Sequence, residues 1–193
     1  MITQIKGRLV EKNPAYIVLD CNGVGYLLRI SLNTYSKISD SENCMLYTYL
    51  SIKEDSHTLF GFMEKTEREL FTSLISVSGV GPNTAQMILS SLSPEQAHRA
   101  IMNSNVSALQ SVKGIGGKTA QRIILDLKDK LAKKDIQINN SFSQHNTTRE
   151  EALTALTMLG FAKKSIEQAV DKELSSESNV DVEELVKRVL KKM

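Results

Sequence analysis

No apolar run in this chain approaches the roughly 18 residues that a membrane-spanning helix needs. The first residues, MITQIKGRLV, alternate apolar and polar and lack the basic-then-apolar layout of a secretory leader, so the chain reads as cytoplasmic. Cysteine is scarce. Cys21 and Cys44 are the only two, with no CxxC spacing and no histidine nearby. That pattern argues against metal or redox roles and for small buried thiols. The three histidines, His57, His98 and His145, are scattered singles and read as surface residues rather than ligands. No serine–histidine–aspartate set stands out, and outside the turn at Glu54 and Asp55 no carboxylate cluster looks suited to metal ions. Gly117-Lys118-Thr119 ends like a nucleotide-binding P-loop, but that pattern needs glycine at 112, where this chain has Val112. The expectation is a protein with no cofactor, no metal and no catalytic centre of its own.

What is present is organised in blocks. Residues 1–62 carry six basic and six acidic residues, 63–134 carry ten and six, and 135–193 carry eight and ten. A basic middle between a neutral head and an acidic tail suggests that the middle meets an anion and the tail something else.

Residues 1–63 read as strands. Ile2–Val10 alternates, Asn13-Pro14 is a turn signal, and Asn22-Gly23 is a hairpin turn. After it Val24, Tyr26, Leu28 and Ile30 share one face, while Leu27 and Arg29 share the other. Residues 32–39 allow one helical turn, and Met45–Ile52 and Leu59–Phe62 complete five strands. Five strands in about sixty residues suit a small closed barrel of the OB type, whose thin core needs support from a neighbour.

Residues 64–134 switch to helical period, with Leu70, Phe71, Leu74, Ile75 and Val77 as one stripe. Ser93-Pro94-Glu95-Gln96 is a helix start with a capping box. The last helix here is expected from about Lys118 to Leu131. Residues 135–147 have few large apolar groups and no periodicity, so they read as a flexible linker. Residues 148–193 read as three short helices, Thr148–Leu159, Lys163–Glu173 and Val182–Leu190, the first opened by a capping box at Thr148 and stopped at Leu159-Gly160-Phe161.

The middle block contains an internal repeat. SLISVSGVGPNTAQMILSSL, 73–92, aligns with ALQSVKGIGGKTAQRIILDL, 108–127, and ten of the twenty positions are identical. One supersecondary unit is used twice: helix, Gly-apolar-Gly, helix. The glycines, Gly79 and Gly81 in one copy and Gly114 and Gly116 in the other, allow the positive φ of a tight hairpin and the approach of another backbone. Val80 and Ile115 should turn inward and pin each hairpin. The amides that follow, at Asn83 and Thr84 in the first copy and at Gly117, Lys118 and Thr119 in the second, open a helix N-terminus suited to a phosphate, and Lys118 adds a charge. Nothing in the pattern reaches a base edge, so DNA binding should be independent of sequence.

These features resemble the RuvA family of Holliday junction branch migration subunits. The resemblance is carried by the opening MITQIKGRL, by SIKEDSHTLFGF at 51–62, by the hairpins SGVGPNTA and KGIGGKTA, and by EALTALTMLGF at 151–161. It implies an α+β multidomain protein: an N-terminal OB barrel, an all-α tandem helix-hairpin-helix domain and a C-terminal three-helix, UBA-like bundle. It also implies a homotetramer, or two tetramers face to face, on four-way junction DNA in recombination and repair. Its ATPase partner would be the hexameric motor RuvB, and the resolvase RuvC is a further possible partner. In that family the turn holding Glu54 and Asp55 is an acidic pin that keeps strands apart at the crossover. By itself that turn reads as a solvated hairpin tip. The tail would dock the motor, with Leu159, Gly160 and Phe161 setting its first turn and Leu185 and Val189 among the docking residues. Two departures stand out, since many relatives have lysine where this chain has Asn83 and Gly117. Tandem hairpins also occur in accessory scaffolds of repair nucleases, which is the alternative reading. Cleavage of junction DNA in the presence of magnesium would favour it.

Overall fold

The computed structural model describes residues 1–39, 43–140, 144–176 and 180–192, with the backbone alone over 133–140, 144–147, 163–164 and at 176. The chain divides into two compact units, Met1–Ala132 and Lys133–Met193.

The first unit opens with five strands: β1 (Gln4–Asn13), β2 (Tyr16–Cys21), β3 (Val24–Ile30), β4 (Asn43–Ile52) and β5 (His57–Phe62). They close into a barrel in the order β1-β2-β3-β5-β4, with β4 returning to β1. All pairings are antiparallel except β3 with β5. A short helix, α1 (Leu32–Lys37), bridges β3 to β4. This is the OB-type barrel that strand count and spacing predict. The Asn22-Gly23 turn has positive φ at both residues, 54° and 89°, as a tight two-residue hairpin requires. Long β1 serves two neighbours because its register shifts between Leu9 and Glu11, a bulge that bends the strand round the barrel. At Gly7 a Cβ would lie 2.4 Å from the Asp20 carbonyl oxygen, so only glycine lets β1 pass there.

The barrel core is small: Ile5, Ile17, Leu19, Leu28, Ile30, Ile38, Cys44 and Leu46. Val24, which shares a face with the buried Leu28 and Ile30, is itself exposed, because it is the first residue of β3 and pairs with Cys21 at the hairpin end. Cys44 is buried and Cys21 half-buried, and both are free thiols. Burial pushes the Cys44 thiol above its ordinary value.

Five helical segments follow, the last of them running past the end of the unit at Ala132: α2 (Lys65–Ile75), α3 (Pro82–Ser91), α4 (Pro94–Met102), α5 (Val106–Gln110) and α6 (Gly117–Asn140). The thin barrel borrows support from α2. Phe71 is fully buried and packs with Phe60 and Phe62 of β5 and Tyr49 of β4, at ring-centroid distances of 5.2, 4.9 and 5.4 Å. Burying one such ring stabilises the join by about 2–3 kcal/mol. The same α2 brings Glu67, fully buried, against the hydroxyls of Ser31 and Thr34 at the start of α1. Helix α4 starts as its sequence predicts, with Ser93 as cap and Gln96 as reciprocal partner.

Helix α6 does not end near Leu131 but is helical through Asn140, so residues 135–140 of the expected linker are helical backbone. No glycine or proline occurs between Lys118 and Leu159, so no backbone feature there obliges a helix to stop. Residues 141–143 lie outside the described residues.

The second unit is a three-helix bundle: α7 (Gln144–Met158), α8 (Lys163–Ser176) and α9 (Val182–Lys192). Helix α7 begins before Thr148, which therefore lies inside the helix instead of capping it. Its C-terminus matches expectation. Gly160 takes φ 95°, its N–H donates to the Thr157 carbonyl, and the Phe161 N–H reaches back to the Leu156 carbonyl, which is the Schellman closure. The core is Ala152, Leu153, Leu156, Ile166, Val170, Leu185 and Val189, with Phe161 partly buried against it. No helix among the described residues is long and apolar enough to cross a membrane.

Candidate nucleic-acid interface

The two halves of the internal repeat fold alike. In the first, α2 runs to Ile75 and α3 starts at Pro82; in the second, α5 runs to Gln110 and α6 starts at Gly117. In each connection the first glycine takes a left-handed conformation, Gly79 at φ 87° and Gly114 at φ 88°. The residue between the glycines turns inward, as expected. Val80 and Ile115 are 4% and 6% exposed and sit in the main helical core. Their N–H groups donate to the carbonyls of Val77 and Val112, at 3.0 and 3.1 Å. Their buried side chains thus anchor the hairpins and face away from any ligand.

The second glycines differ from expectation. Gly81 has φ −87° and ψ 171°, an extended conformation open to any residue. Its value is empty space. A Cβ at Gly81 or Gly116 would meet nothing within 4 Å, so the surface there is a bare backbone step. Each caps the helix that follows: the Ala85 N–H donates to the Gly81 carbonyl and the Ala120 N–H to the Gly116 carbonyl, both at 3.0 Å. The amides just ahead have no partner within their helix. In α3 these belong to Asn83 and Thr84, because Pro82 has no N–H. In α6 they belong to Gly117, Lys118 and Thr119. Together with the positive end of the helix dipole, each set can hold an anion. Lys118 is exposed beside the second set.

Comparison with known proteins bears on all three modules. The family profile described as "RuvA N terminal domain" matches residues 1–61, "SAM-like Helix-hairpin-helix tandem" matches 71–129, and "RuvA, C-terminal domain" matches 147–193. Over all 193 residues the chain is 53% identical to the Holliday junction branch migration complex subunit RuvA of Christiangramia forsetii, covering the whole of both chains. The protein of the same name from Flavobacterium psychrophilum is 50% identical, and that of Bacteroides thetaiotaomicron 47%, again over the full length of both chains.

The chain belongs to the RuvA family.

The turn that holds Glu54 and Asp55 is an exposed hairpin tip between β4 and β5. The Lys53 N–H donates to the Ser56 carbonyl at 2.9 Å and closes it, leaving Glu54 and Asp55 outermost. The RuvA-type tail requires a correction. Leu185 and Val189 are fully buried in the bundle core and offer no docking face. A 13-residue span of α9 and its preceding turn must fill one side of a small bundle, which uses its best apolar positions for packing. Among the described residues of this unit, the exposed large hydrophobics are Met158, Leu159 and Leu190.

Three basic residues that sequence reasoning passed over lie against the first hairpin. Arg29 of β3 donates through Nη1 to Asn83 Oδ1 at 3.1 Å. Lys53 and Arg29 line one cavity with Gly81, Asn83 and Thr84. Arg122 donates to the Ser78 carbonyl of the first hairpin at 3.2 Å from the helix of the second. Arg122 was within reach, since it follows Lys118 by four residues on one helix face. For Arg29 and Lys53 the signal was weak: each is one basic residue on an outward strand or turn position, more than 25 residues from the hairpin it meets.

Proposed function

We propose that this RuvA-family chain is the cytoplasmic, non-catalytic, junction-binding subunit of a branch migration complex. It binds four-way junction DNA by its sugar-phosphate backbone and without regard to sequence. The observation that carries the reading is duplication. Two hairpins of one geometry, each with a left-handed glycine, a buried apolar pin and an open helix N-terminus, lie within one compact unit. Each suits one stretch of backbone, and a symmetric assembly of copies would multiply them around a crossover. A homotetramer, or two tetramers face to face, fits that use.

The junction as substrate is supported by the relatives, which are Holliday junction branch migration complex subunits. The acidic tip of Glu54 and Asp55 is read as the pin. Carboxylates near the crossover repel phosphates and would hold exchanging strands apart. The second unit, with its own core, is read as the docking module for an ATP-driven motor of the RuvB type, and RuvC remains a further partner of the assembly.

The test is a gel-shift comparison of a four-way junction with linear duplex of the same sequences. Preference for the junction, falling steeply with salt, is the expected result. Equal affinity at physiological salt refutes it. Adding magnesium tests the alternative in the same experiment, since strand cleavage would point to a nuclease scaffold.

A further inference from the structure

The two hairpins are built alike but are not equally charged. In the repeat, Asn83 of the first hairpin aligns with Lys118 of the second. The first hairpin therefore has no cation of its own at the position where the second has one. The structure puts one there from another element. Arg29, on the outer face of β3, donates to Asn83 Oδ1 at 3.1 Å. The barrel and the hairpin enclose between them a polar cavity of about 430 Å3, lined by Arg29, Lys53, Ser51, Ser56, Asn83 and Thr84 among others. It holds two cations, several hydroxyls and the bare step at Gly81, and no carboxylate lines it.

We propose that the OB barrel supplies the cation of the first hairpin, with Arg29, seconded by Lys53, binding the DNA phosphate held by the amides of Asn83 and Thr84. The donor count favours this. A guanidinium has five N–H groups, and the bond to Asn83 uses one. That bond also turns the Asn83 amide so that its oxygen faces Arg29 and its Nδ2 is left to donate elsewhere. The fork of Arg29 could then bond the two non-bridging phosphate oxygens, each of which can also accept from the helix amides. Asn83 is thereby a positioning residue as well as a donor. The site is composite, half barrel and half hairpin, so its geometry depends on the rigid join of the two. Two bonds beside the site help to hold that join: Gln86 Nε2 donates to the Ile30 carbonyl at 2.6 Å, and the Leu32 N–H donates to Ser90 Oγ at 3.2 Å. The second hairpin needs no such help, because Lys118 rides on its own helix.

This inference rests on the proposed DNA-binding role, and the experiment separates the two. Affinity of the full-length chain for a labelled four-way junction is measured by anisotropy over a range of salt concentrations. The variants are Arg29→Gln, Arg29→Lys, Asn83→Lys, the double variant Arg29→Gln with Asn83→Lys, and Lys118→Gln. Each loss of a phosphate contact lowers the salt slope by about 0.9 per chain. Arg29→Gln is expected to weaken binding roughly fivefold to tenfold, as one charge-assisted contact does, and to flatten the slope. Arg29→Lys should keep the slope. Asn83→Lys should restore most of the loss in the Arg29→Gln background, because it returns the cation to the hairpin itself. If Lys118→Gln weakens binding and flattens the slope while Arg29→Gln does neither, the barrel supplies nothing and the inference fails alone. If affinity falls in Arg29→Gln with an unchanged slope and no rescue by Asn83→Lys, Arg29 only packs, and the inference again fails. If neither Arg29→Gln nor Lys118→Gln has any effect, the hairpin reading itself falls.

Discussion

Ser31 Oγ donates to Glu67 Oε1 at 2.5 Å in a place where both residues are sealed from water. Thr34 Oγ1 donates to the other carboxylate oxygen at 2.7 Å and accepts from the Met63 N–H at 3.2 Å. One buried carboxylate thus ties α1 of the barrel to α2 of the helical module. Removing it leaves two buried hydroxyls without their acceptor and a void between the elements. Glu67→Ala is expected to destabilise the first unit by about 2–4 kcal/mol. Glu67→Gln keeps one acceptor and should cost less. Urea unfolding at unchanged m-value measures both, and a loss below about 0.5 kcal/mol for the alanine variant would show that the tie is energetically idle.

The bare steps at Gly81 and Gly116 allow a clean test of the hairpins. A Cβ there meets no protein atom within 4 Å beyond its chain neighbours, and neither residue uses positive φ. Gly81→Leu with Gly116→Leu should therefore fold with nearly unchanged stability and yet fail to bind DNA, since the side chains occupy the space a phosphate needs. Gly79→Leu, at φ 87°, should instead destabilise by about 1–2 kcal/mol from backbone strain. Lys118→Ala should weaken DNA binding by about 1 kcal/mol. Unchanged binding by the folded double leucine variant would falsify the hairpin assignment.

The exposed tip at Glu54 and Asp55 makes a prediction of the opposite sign. Neutralising both, as Glu54→Gln with Asp55→Asn, removes repulsion toward phosphates. Junction binding should hold or tighten, and duplex binding should rise most, which lowers the discrimination between them. Competition binding with junction and duplex reads the ratio. A marked loss of junction affinity would mean that the acids make favourable contacts.

The second unit can be removed without touching the core of the first, whose buried residues end at Leu131. A chain truncated after Lys134 should keep junction affinity and lose motor-driven branch migration. Full migration by the truncated chain would end the docking assignment. Within the intact chain, charged replacements at Met158 and Leu159, which are 85% and 60% exposed, should impair migration with little effect on the bundle.

The bundle also has a pH signature. Arg149 meets Asp171 with two bonds, Nε to Oδ1 at 2.6 Å and Nη2 to Oδ2 at 3.0 Å. The guanidinium holds the Asp171 carboxyl below its ordinary value of 3.8. A depressed carboxylate stabilises the fold above its unfolded pKa, and the contribution fades as pH falls through the folded one. Asp171 is half-exposed, so solvent limits the effect to under about 1 kcal/mol. Asp171→Asn should accelerate hydrogen exchange in α7 and α8 near pH 6 and cease to differ from the parent chain well below pH 3.8. A difference that persists at low pH would point to packing as its cause.

Much of this protein was legible in its residues because the signals are local. Alternation and the Asn22-Gly23 turn announce the barrel strands, and the capping box at Ser93 announces α4. The repeat of Gly-apolar-Gly at a fixed offset announces two hairpins, and the Leu159-Gly160-Phe161 stop announces a helix end. Each depends on neighbours within a few residues, where backbone geometry and side-chain period act directly. The failures lie where the deciding forces are long-range or where punctuation is missing. Leu185 and Val189 looked available for docking, but the small bundle needs them as core. The linker looked structureless from its polarity, but without glycine or proline the helix runs on to Asn140. Above all, only the closed barrel and the packing of Phe71 and Glu67 bring Arg29 to Asn83, 54 residues away in the chain. Periodicity says which face of a strand Arg29 occupies; which hairpin that face meets is set by how the barrel docks, and burial of large apolar side chains determines that docking.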